Sequence, residues 1–341
     1  MKRSIIASAI TLALAPFLTL DPAGAAAAAP AVTLTEAIPL PAIHPGDFDQ
    51  FAVDETRNRL YLSAEANGAV EVFDLRTGAL LRSGGPVKSP HKVIVDPQTG
   101  RIFVADGKDS SIKVLDENLA LIAKIPTGAD PDGGVYDERS RIFYVGSRAV
   151  DPAAPGSEVT AISTATLSVV GTVPVASAKL KTMVIDPATD RLFVSMRDKS
   201  QVGVISLKAH AVVAVWSAEA LNQNVPLAFD QADNLLFVGS RRPGKLFALD
   251  GADGHVVKLL DSTETSDSMS YDPDSRRLYL SGTSGLSVYH VGGRDDITQT
   301  GLYDTGAAKT SLLVASLHRL YAARPKTEQQ DAALLLYAVA P

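Results

Sequence analysis

Short apolar runs alternate with turn residues along the chain, and the pattern is clearest between His91 and Gly128. Four apolar runs in this stretch are separated by turns of Pro, Gly, Asp and Ser, and they are Lys92–Asp96, Ile102–Ala105, Ile112–Leu115 and Leu121–Ile125. Runs of this length that are rich in Val and Ile and bounded by turn residues predict β-strands. The four runs therefore predict one antiparallel sheet, and a sheet with two apolar faces needs a neighbour on each side.

The same unit recurs along the chain. The first residues of the predicted second strands are separated by 42, 40, 50, 44, 42 and 42 residues, and they are Leu60, Ile102, Ile142, Leu192, Leu236, Leu278 and Leu320. An Asp precedes six of these seven anchors, at Asp54, Asp96, Asp137, Asp186, Asp230 and Asp272. A period of about 40–45 residues with four strands per repeat is typical of a β-propeller. The sequence predicts an all-β, seven-bladed propeller with four antiparallel strands per blade.

The two ends of the chain predict how the ring closes. An isolated strand, Val32–Ile38, precedes the first full repeat, and the last repeat stops after its third strand, Ala333–Val339. Unpaired sheet edges promote aggregation. We therefore expect the N-terminal strand to be the outermost strand of the seventh blade.

Residues 1–29 have the pattern of an export signal. Lys2 and Arg3 precede the apolar stretch Ile5–Leu20, and Ala23-Gly24-Ala25 offers a small-residue cleavage site. The chain has no cysteine, which excludes both a lipid-anchored cysteine and disulfides. We expect a periplasmic or secreted protein without a membrane span after cleavage. Residues 30–341 then form the propeller, with blades at about 48–89, 90–130, 131–179, 180–223, 224–265, 266–307, and 308–341 plus strand 32–38.

The repeat resembles that of a known family. Arg101-Ile102-Phe103-Val104, Arg141-Ile142-Phe143-Tyr144-Val145 and Arg191-Leu192-Phe193-Val194 are similar to the core of the YVTN-type propeller repeat. The chain from about residue 32 to 341 resembles exported bacterial YncE-like proteins. The resemblance implies the propeller fold, whereas function depends on the site that a fold carries. The histidine ligands of related haem and copper propellers are not reproduced here.

Candidate site residues cluster at one rim of the predicted channel. Each blade's first strand should line the channel, so residues five positions before each Asp share a rim with the ends of the second strands. The candidates at this rim are Asp49, Gln50, His91, Asp132, Lys181, Arg197, Asn224, Arg241, Asp267, Lys309 and Arg324. Arg148 has a matching place in blade three. These positions vary between repeats while the opposite rim repeats itself, which favours a functional rim.

Several arginines and lysines at one rim suggest an anionic small molecule or an acidic protein segment as the ligand, because guanidinium groups suit carboxylates and phosphates. Two other interpretations stay open. The charges at the rim could simply neutralise one another, or His91 with Asp49 or Asp132 could serve a lactonase or other hydrolase as general base. A further alternative is an accessory protein of a periplasmic dehydrogenase system.

No cofactor and no metal ion is expected. The six histidines are scattered, and Asp250–Gly254 is interpreted as a turn because it lacks the terminal Glu of a calcium loop. No Gly-x-Ser-x-Gly, His-Glu-x-x-His or phosphate-loop motif occurs. The net charge of −6 gives no indication of nucleic-acid binding. We expect a monomer that binds its ligand without chemistry of its own.

Overall fold

A computed structural model of the protein describes residues 31–150 and 156–341. These residues form 28 strands in seven four-stranded antiparallel sheets. The innermost strands of neighbouring sheets contact one another at six of the seven junctions, and the last of them, β26 (Thr310–Val314), contacts the first, β2 (Phe51–Asp54). At the seventh, between blades two and three, the backbone N–H of Lys92 donates to the carbonyl of Asp132. The predicted seven-bladed propeller is confirmed.

In each blade the four strands are antiparallel and follow one another across the sheet from the channel to the outer edge. The remaining strands are, in blade one, β3 (Arg59–Ala64), β4 (Ala69–Asp74) and β5 (Leu80–Gly84); in blade two, β6 (Pro90–Val95), β7 (Ile102–Asp106), β8 (Ser111–Leu115) and β9 (Leu121–Pro126); in blade three, β10 (Gly134–Asp137), β11 (Ile142–Gly146), β12 (Ser157–Ser163) and β13 (Ser168–Val175); in blade four, β14 (Leu180–Asp186), β15 (Arg191–Met196), β16 (Gln201–Ser206) and β17 (Ala211–Trp216); in blade five, β18 (Leu227–Asp230), β19 (Leu235–Arg241), β20 (Gly244–Asp250) and β21 (Val256–Asp261); in blade six, β22 (Ser268–Asp272), β23 (Arg277–Gly282), β24 (Gly285–Val291) and β25 (Ile297–Tyr303); and in blade seven, β27 (Arg319–Arg324), β28 (Ala333–Val339) and β1 (Val32–Pro39). Short 3₁₀ turns at Glu65–Asn67, Gly107–Asp109 and Ala315–Leu317 connect some of the strands.

The ring closes through the N-terminal strand. β1 pairs antiparallel with β28, from Val32 opposite Val339 to Pro39 opposite Ala333, and is the outermost strand of blade seven. The predicted closure is therefore confirmed, and the edge of β28 is paired instead of exposed.

Apolar packing lies mainly between the blades. Each of the seven junctions between neighbouring blades holds one cluster of buried apolar residues. At the junction of blades four and five, for example, Phe193 and Val202 pack against Leu236 and Val238. Each sheet buries both faces, as the apolar runs in the sequence predict.

The repeated Asp closes the turn at one rim. Its carboxylate accepts a hydrogen bond from a backbone N–H two or three residues later, as Asp96 does from Gln98 and Asp54 does from Arg57. The residue four positions after this Asp has a positive φ in each of these six blades, and Val314 precedes His318 in the same way in blade seven. This geometry explains why Asp and a turn residue recur at that rim.

One predicted anchor is out of register. In blade three Asp137 pairs with Ile142, as Asp54 pairs with Arg59 in blade one. The equivalent of Leu60 in blade three is therefore Phe143, one residue after the predicted Ile142. β11 does begin at Ile142 as predicted, but the repeat register is shifted by one residue because this turn region has an apolar residue at the position that Arg59 occupies in blade one.

The predicted signal peptide, residues 1–29, lies outside the described residues. Within the part of the chain that the structure describes, no helix has the length and hydropathy needed to cross a membrane.

Deleting residues 32–39 should destabilise the protein. Without β1 the edge of β28 is unpaired and the buried contacts of Val32 and Ile38 are lost, so we expect a lower melting temperature and self-association. Differential scanning fluorimetry and size-exclusion chromatography measure both. Leu34→Ala is the control, since that side chain on the same strand is 50% exposed and its loss should have little effect. A deletion variant that stays monomeric and melts with the wild type would contradict the closure role of β1.

Candidate functional site at the channel mouth

The innermost strands of the seven blades line a central channel. A cavity of about 320 Å³ in it is lined by residues from all seven of these strands. At one end, which we call the mouth, lie the chain segments that lead into the innermost strands and the turns that follow the second strands. The repeated Asp turns lie at the opposite end.

Structural equivalence sorts the residues of the mouth into three sets. The reference in each blade is the repeated Asp, or Val314 in blade seven. The inner set lies five residues before the reference and contains Asp49, His91, Asp132, Lys181, Val225, Asp267 and Lys309. The middle set lies seven residues before it and contains Asp47, Ser89, Asp130, Lys179, Gln223, Thr265 and Ala307. The outer set lies eleven residues after it and contains Glu65, Gly107, Arg148, Arg197, Arg241, Thr283 and Pro325.

His91 lies in an acidic sector formed by blades one to three. Its side chain is 4% exposed, and its Nδ1 lies 2.6 Å from Oδ2 of Asp49. On the other side of the imidazole ring, Nε2 lies 3.7 Å from Oδ1 of Asp130 and 3.9 Å from Oε1 of Glu65. Three carboxylates from three different parts of the chain therefore surround one buried imidazole.

This environment determines the charge of His91. Burial alone would lower the pKa of His91, but the carboxylates of Asp130 and Asp49 and the charge of Asp132 outweigh it and raise the pKa to about 10. The ring is then protonated at neutral pH, and an imidazolium does not act as a general base.

Asp132 is the centre of a second network. Its side chain is nearly buried, and its Oδ2 accepts hydrogen bonds from Arg148 at 2.6 Å and from Lys181 at 2.5 Å. Arg148 also contacts Asp130 at 2.7 Å, so its guanidinium joins two carboxylates. Burial opposes ionisation of Asp132, but the charges of Lys181, His91 and Arg148 hold the pKa of its carboxyl well below its usual range. Oδ2 of Asp132 is thus shared by two cations, and His91 bonds to Asp49 instead.

The other inner charges are paired as well. Lys309 lies 2.9 Å from Asp47 and 3.2 Å from Asp267. Lys92, which lines the channel just below the mouth, donates to Oε1 of Gln50 at 3.3 Å. Burial lowers the pKa of Lys92, and the nearby charge of Asp49 opposes that effect. Neutralisation across the mouth, one of the two open interpretations, therefore holds for Lys181 and Lys309.

A cationic sector occupies blades four and five. Among the described residues, no carboxylate lies within salt-bridge distance of Lys179, Arg197 or Arg241. The only side-chain hydrogen bond that Arg197 makes among them is a long one, 3.5 Å, to Gln223. A hollow of about 340 Å³ is lined by Lys179, Arg197, Asp198, Ser200, Asn222 and Gln223. Asp198 accepts bonds from the hydroxyl of Ser177 and the backbone N–H groups of Ala178 and Lys179.

The cations of this sector repel one another. Burial, together with the charges of Arg148, Lys181 and Arg197, lowers the pKa of Lys179 to about 8. Burial and the charge of Arg241 likewise lower the pKa of Arg197. An anion placed among these groups would relieve the repulsion and raise the pKa of Lys179.

Three of the predicted site residues differ from expectation. Asn224 is completely buried, and its amide donates to Ser195 and to the carbonyl of Gln201, so it is not accessible to a ligand. Arg324 follows its reference by ten residues instead of eleven, and it bonds to the carbonyl of Asp331 in its own blade. Arg241 is only 8% exposed and does not face solvent as expected. For Asn224 and Arg324 the position relative to the repeated Asp decides the outcome, whereas Arg241 has the same position as Arg148 and Arg197 but is buried.

Four residues of the site escaped the sequence analysis, namely Glu65, Gly107, Asp130 and Lys179. Glu65 and Gly107 occupy the same repeat position as the predicted Arg197. Asp130 and Lys179 lie two residues before the predicted Asp132 and Lys181. Counting every residue at a fixed distance from the repeated Asp would have found them. The search for arginines alone at the ends of the second strands passed over Glu65 and Gly107.

Comparisons with known proteins support the fold. No family model matches the chain, and no curated protein matches it by sequence. Among solved structures, the chain is similar to Kuenenia stuttgartiensis hydrazine synthase, with a TM-score of 0.69 and 15% sequence identity, over 87% of this chain and 98% of that chain. At this identity the similarity shows the propeller fold alone. The resemblance to YVTN-type repeats stays a prediction.

Replacing Asp132 with Asn should destabilise the fold. The change leaves Lys181 and Arg148 without their shared buried carboxylate, and breaking a buried ion pair costs about 3 kcal/mol or more of the free energy of unfolding. Urea denaturation measures this cost. Asp47→Asn is the matched control, because its side chain is 60% exposed and such a pair contributes less than about 1 kcal/mol. Equal stability of the two variants would show that the Asp132 network contributes little.

Proposed function

We propose that this propeller is a binding protein that holds an anionic small molecule at the cationic sector of its channel mouth. The observation that carries the proposal is the pair Lys179 and Arg197, two cations that line one hollow and have no carboxylate partner among the described residues. The charge of the buried Arg241 adds to the repulsion at Arg197. Close cations are unfavourable unless something compensates them. A bound anion is the compensation that the hollow beside them can accommodate.

The chemistry of the hollow favours a carboxylate or a phosphate. A guanidinium offers paired N–H donors in the geometry of these groups, and the ammonium of Lys179 adds a third direction of approach. Asn222 and Gln223 supply amide groups at the edge of the hollow. A volume of about 340 Å³ lies at the low end of the range of small-molecule sites, which is about 300–1,000 Å³. A small molecule therefore suits the hollow better than an acidic protein segment does.

The hydrolase alternative has little support in the geometry. His91 is held as a cation by its carboxylate neighbours, and Asp132 bonds to Arg148 and Lys181. Neither residue is arranged to take a proton from water or substrate. A binding function requires no such group.

Mass spectrometry of the protein isolated from its native source identifies the co-purified molecule, and isothermal titration with citrate and inorganic phosphate then tests the site. Citrate and phosphate serve as probes of carboxylate and phosphate chemistry. Lys179→Ala combined with Arg197→Ala should weaken binding of the preferred probe by at least roughly a hundredfold, because each of the two charge-assisted hydrogen bonds contributes about 1.5–3 kcal/mol. Binding should also decrease with salt, since charges are screened over about 8–10 Å.

Lys208→Ala is the control for the loss of a lysine charge, because it removes one positive charge from an exposed loop at the opposite rim. Raising the pH from 7 to 9 should weaken anion binding to the wild type roughly tenfold, since Lys179 loses its proton near pH 8 and a bound anion needs it charged. A protein lacking Lys179 should not show that pH dependence. Equal binding by the double variant and by Lys208→Ala would refute the proposed site, and retention of an acidic protein instead of a small molecule would change the ligand class.

We also propose that the protein acts outside the cytoplasm, on the basis of the Lys2–Arg3 start and the apolar stretch of residues 5–20. N-terminal sequencing of the protein from fractionated cells should find a mature chain that starts between about Ala25 and Pro30 in the periplasm or medium. Intact Met1 in the cytoplasm or membrane fraction would exclude cleavage and export.

A further inference from the structure

The channel contains a ring of residues one position further along the innermost strands than the inner set of the mouth. These residues lie four positions before the repeated Asp, or before Val314 in blade seven, and they are Gln50, Lys92, Gly133, Thr182, Pro226, Ser268 and Thr310. The polar members that line the cavity of about 320 Å³ are Gln50, Lys92, Thr182 and Ser268. Lys92 donates to Gln50 across the junction of blades one and two, so the two residues share a level in the channel. We call this set the polar ring.

The ammonium of Lys92 has few partners. It is the only cation among the described residues that line the cavity, and among the described residues its one hydrogen bond is the 3.3 Å contact with Gln50. An ammonium has three N–H donors, so two are without a protein acceptor. On the other side of Lys92, blade three contributes Gly133, where a Cβ would lie 2.2 Å from the carbonyl oxygen of Lys181. Burial of a charge with so few partners is unfavourable, and burial lowers the pKa of Lys92.

Hydroxyl groups add neutral donors to the same level. Thr182 and Ser268 are partly buried, and their hydroxyls have no hydrogen-bond partner among the described residues. Thr310 differs, because its hydroxyl donates to the carbonyl of Phe48. The polar ring therefore offers one ammonium and two uncommitted hydroxyls to an anionic group in the channel.

Beyond the polar ring the walls of the cavity are mostly apolar. Partly buried apolar residues from five blades line it, and they are Ala52, Val53, Val135, Val184, Met269 and Leu312. The two serines at these levels are engaged elsewhere. The hydroxyl of Ser311 bonds to Ser281, and that of Ser270 accepts from the backbone N–H of Leu313. The cavity thus has a polar end with one positive charge and an apolar remainder.

We propose that the channel binds a monocarboxylate with an apolar body, whose carboxylate pairs with Lys92 and whose body lies along the apolar walls. The carboxylate supplies the acceptors that the ammonium lacks, in a charge-assisted hydrogen bond. The levels from Lys92 to Val95 span about 10 Å, at about 3.3 Å per residue, which suits a body of about eight carbon atoms. The site shares no lining residue with the hollow beside Arg197, so it is a second site.

Glu138 determines the direction of the ligand. It is exposed at the rim of the Asp turns and also lines the cavity, so the cavity extends to that rim. Its carboxylate repels a second carboxylate at that end. The carboxylate of the ligand therefore lies at Lys92, and the apolar body points toward Glu138. A dicarboxylate of the same length is disfavoured for the same reason.

Isothermal titration of the wild type with octanoate tests the proposal. We expect one octanoate per chain, and binding at least about tenfold weaker for 1-octanol, which lacks the charge. Hexanoate should bind about tenfold more weakly than octanoate, because two methylene groups fewer leave water. Suberate, which carries a second carboxylate, should also bind more weakly than octanoate. This series uses the wild type, so it tests the proposal even if a variant fails to fold.

Lys92→Met keeps the apolar stem of the side chain and removes its charge. It should weaken octanoate binding by about 10–100-fold and make octanoate and 1-octanol bind about equally. Lys208→Met is the matched control at an exposed lysine, and it should leave octanoate binding unchanged.

The two sites can be tested separately. Lys179→Ala with Arg197→Ala should retain octanoate binding, and Lys92→Met should retain binding of citrate or phosphate, so either proposal can fail without the other. Absence of octanoate binding, equal affinity of the wild type for octanoate and 1-octanol, or unchanged octanoate affinity in Lys92→Met would overturn the channel site.

Discussion

The structure depends on one constraint: each four-stranded sheet has two apolar faces, and both must be covered by other sheets. No blade can satisfy this alone, so stability requires a closed ring in which every junction holds its own apolar cluster. The hydrophobic effect favours burial of each face, at about 25 cal/mol per Å² of apolar surface. β1 completes the ring by pairing with β28, which joins the two ends of the described chain in one sheet. The chain has no cysteine, so the pairing of β1 with β28 closes the ring without a covalent link.

A ring of this kind has two rims with different tasks. At the rim of the repeated Asp, the carboxylate closes the turn into the second strand, and the same residue serves in six blades. The mouth has no such requirement, so equivalent positions there carry Asp, His, Lys, Val and Arg. The blades bring these differences to one place. Acidic groups around His91 occupy blades one to three, and cationic groups around Arg197 occupy blades four and five. The mouth thus offers two oppositely charged sectors about one channel.

Asp132 separates these sectors. It binds Arg148 and Lys181 and so neutralises the cations nearest to the acidic side. The cations beyond it, Lys179, Arg197 and Arg241, have no carboxylate partner among the described residues and repel one another. Cations that appear equivalent in the sequence therefore differ in their surroundings: Arg148 and Lys181 are paired with a buried carboxylate, whereas Lys179 and Arg197 line a hollow without such a pair among the described residues. The position of the nearest carboxylate, and not residue type, makes this distinction.

The sequence by itself determined the number of blades, the strand order within each blade and the closure by residues 32–38, because a period of about 42 residues and alternating apolar runs leave one economical arrangement. It also placed Asp49, His91, Asp132 and Lys181 at a common rim, since all lie five residues before a repeated Asp. The tertiary structure alone decided which charges meet. Asp130 and Glu65 reach His91 from other blades, Asn224 is buried between blades, and a shift of one residue turns Arg324 to its own blade. The repeats determine where each residue lies around the ring. Which side chains form ion pairs depends on the distance between their charged groups in space, and the spacing of residues along the chain does not give that distance.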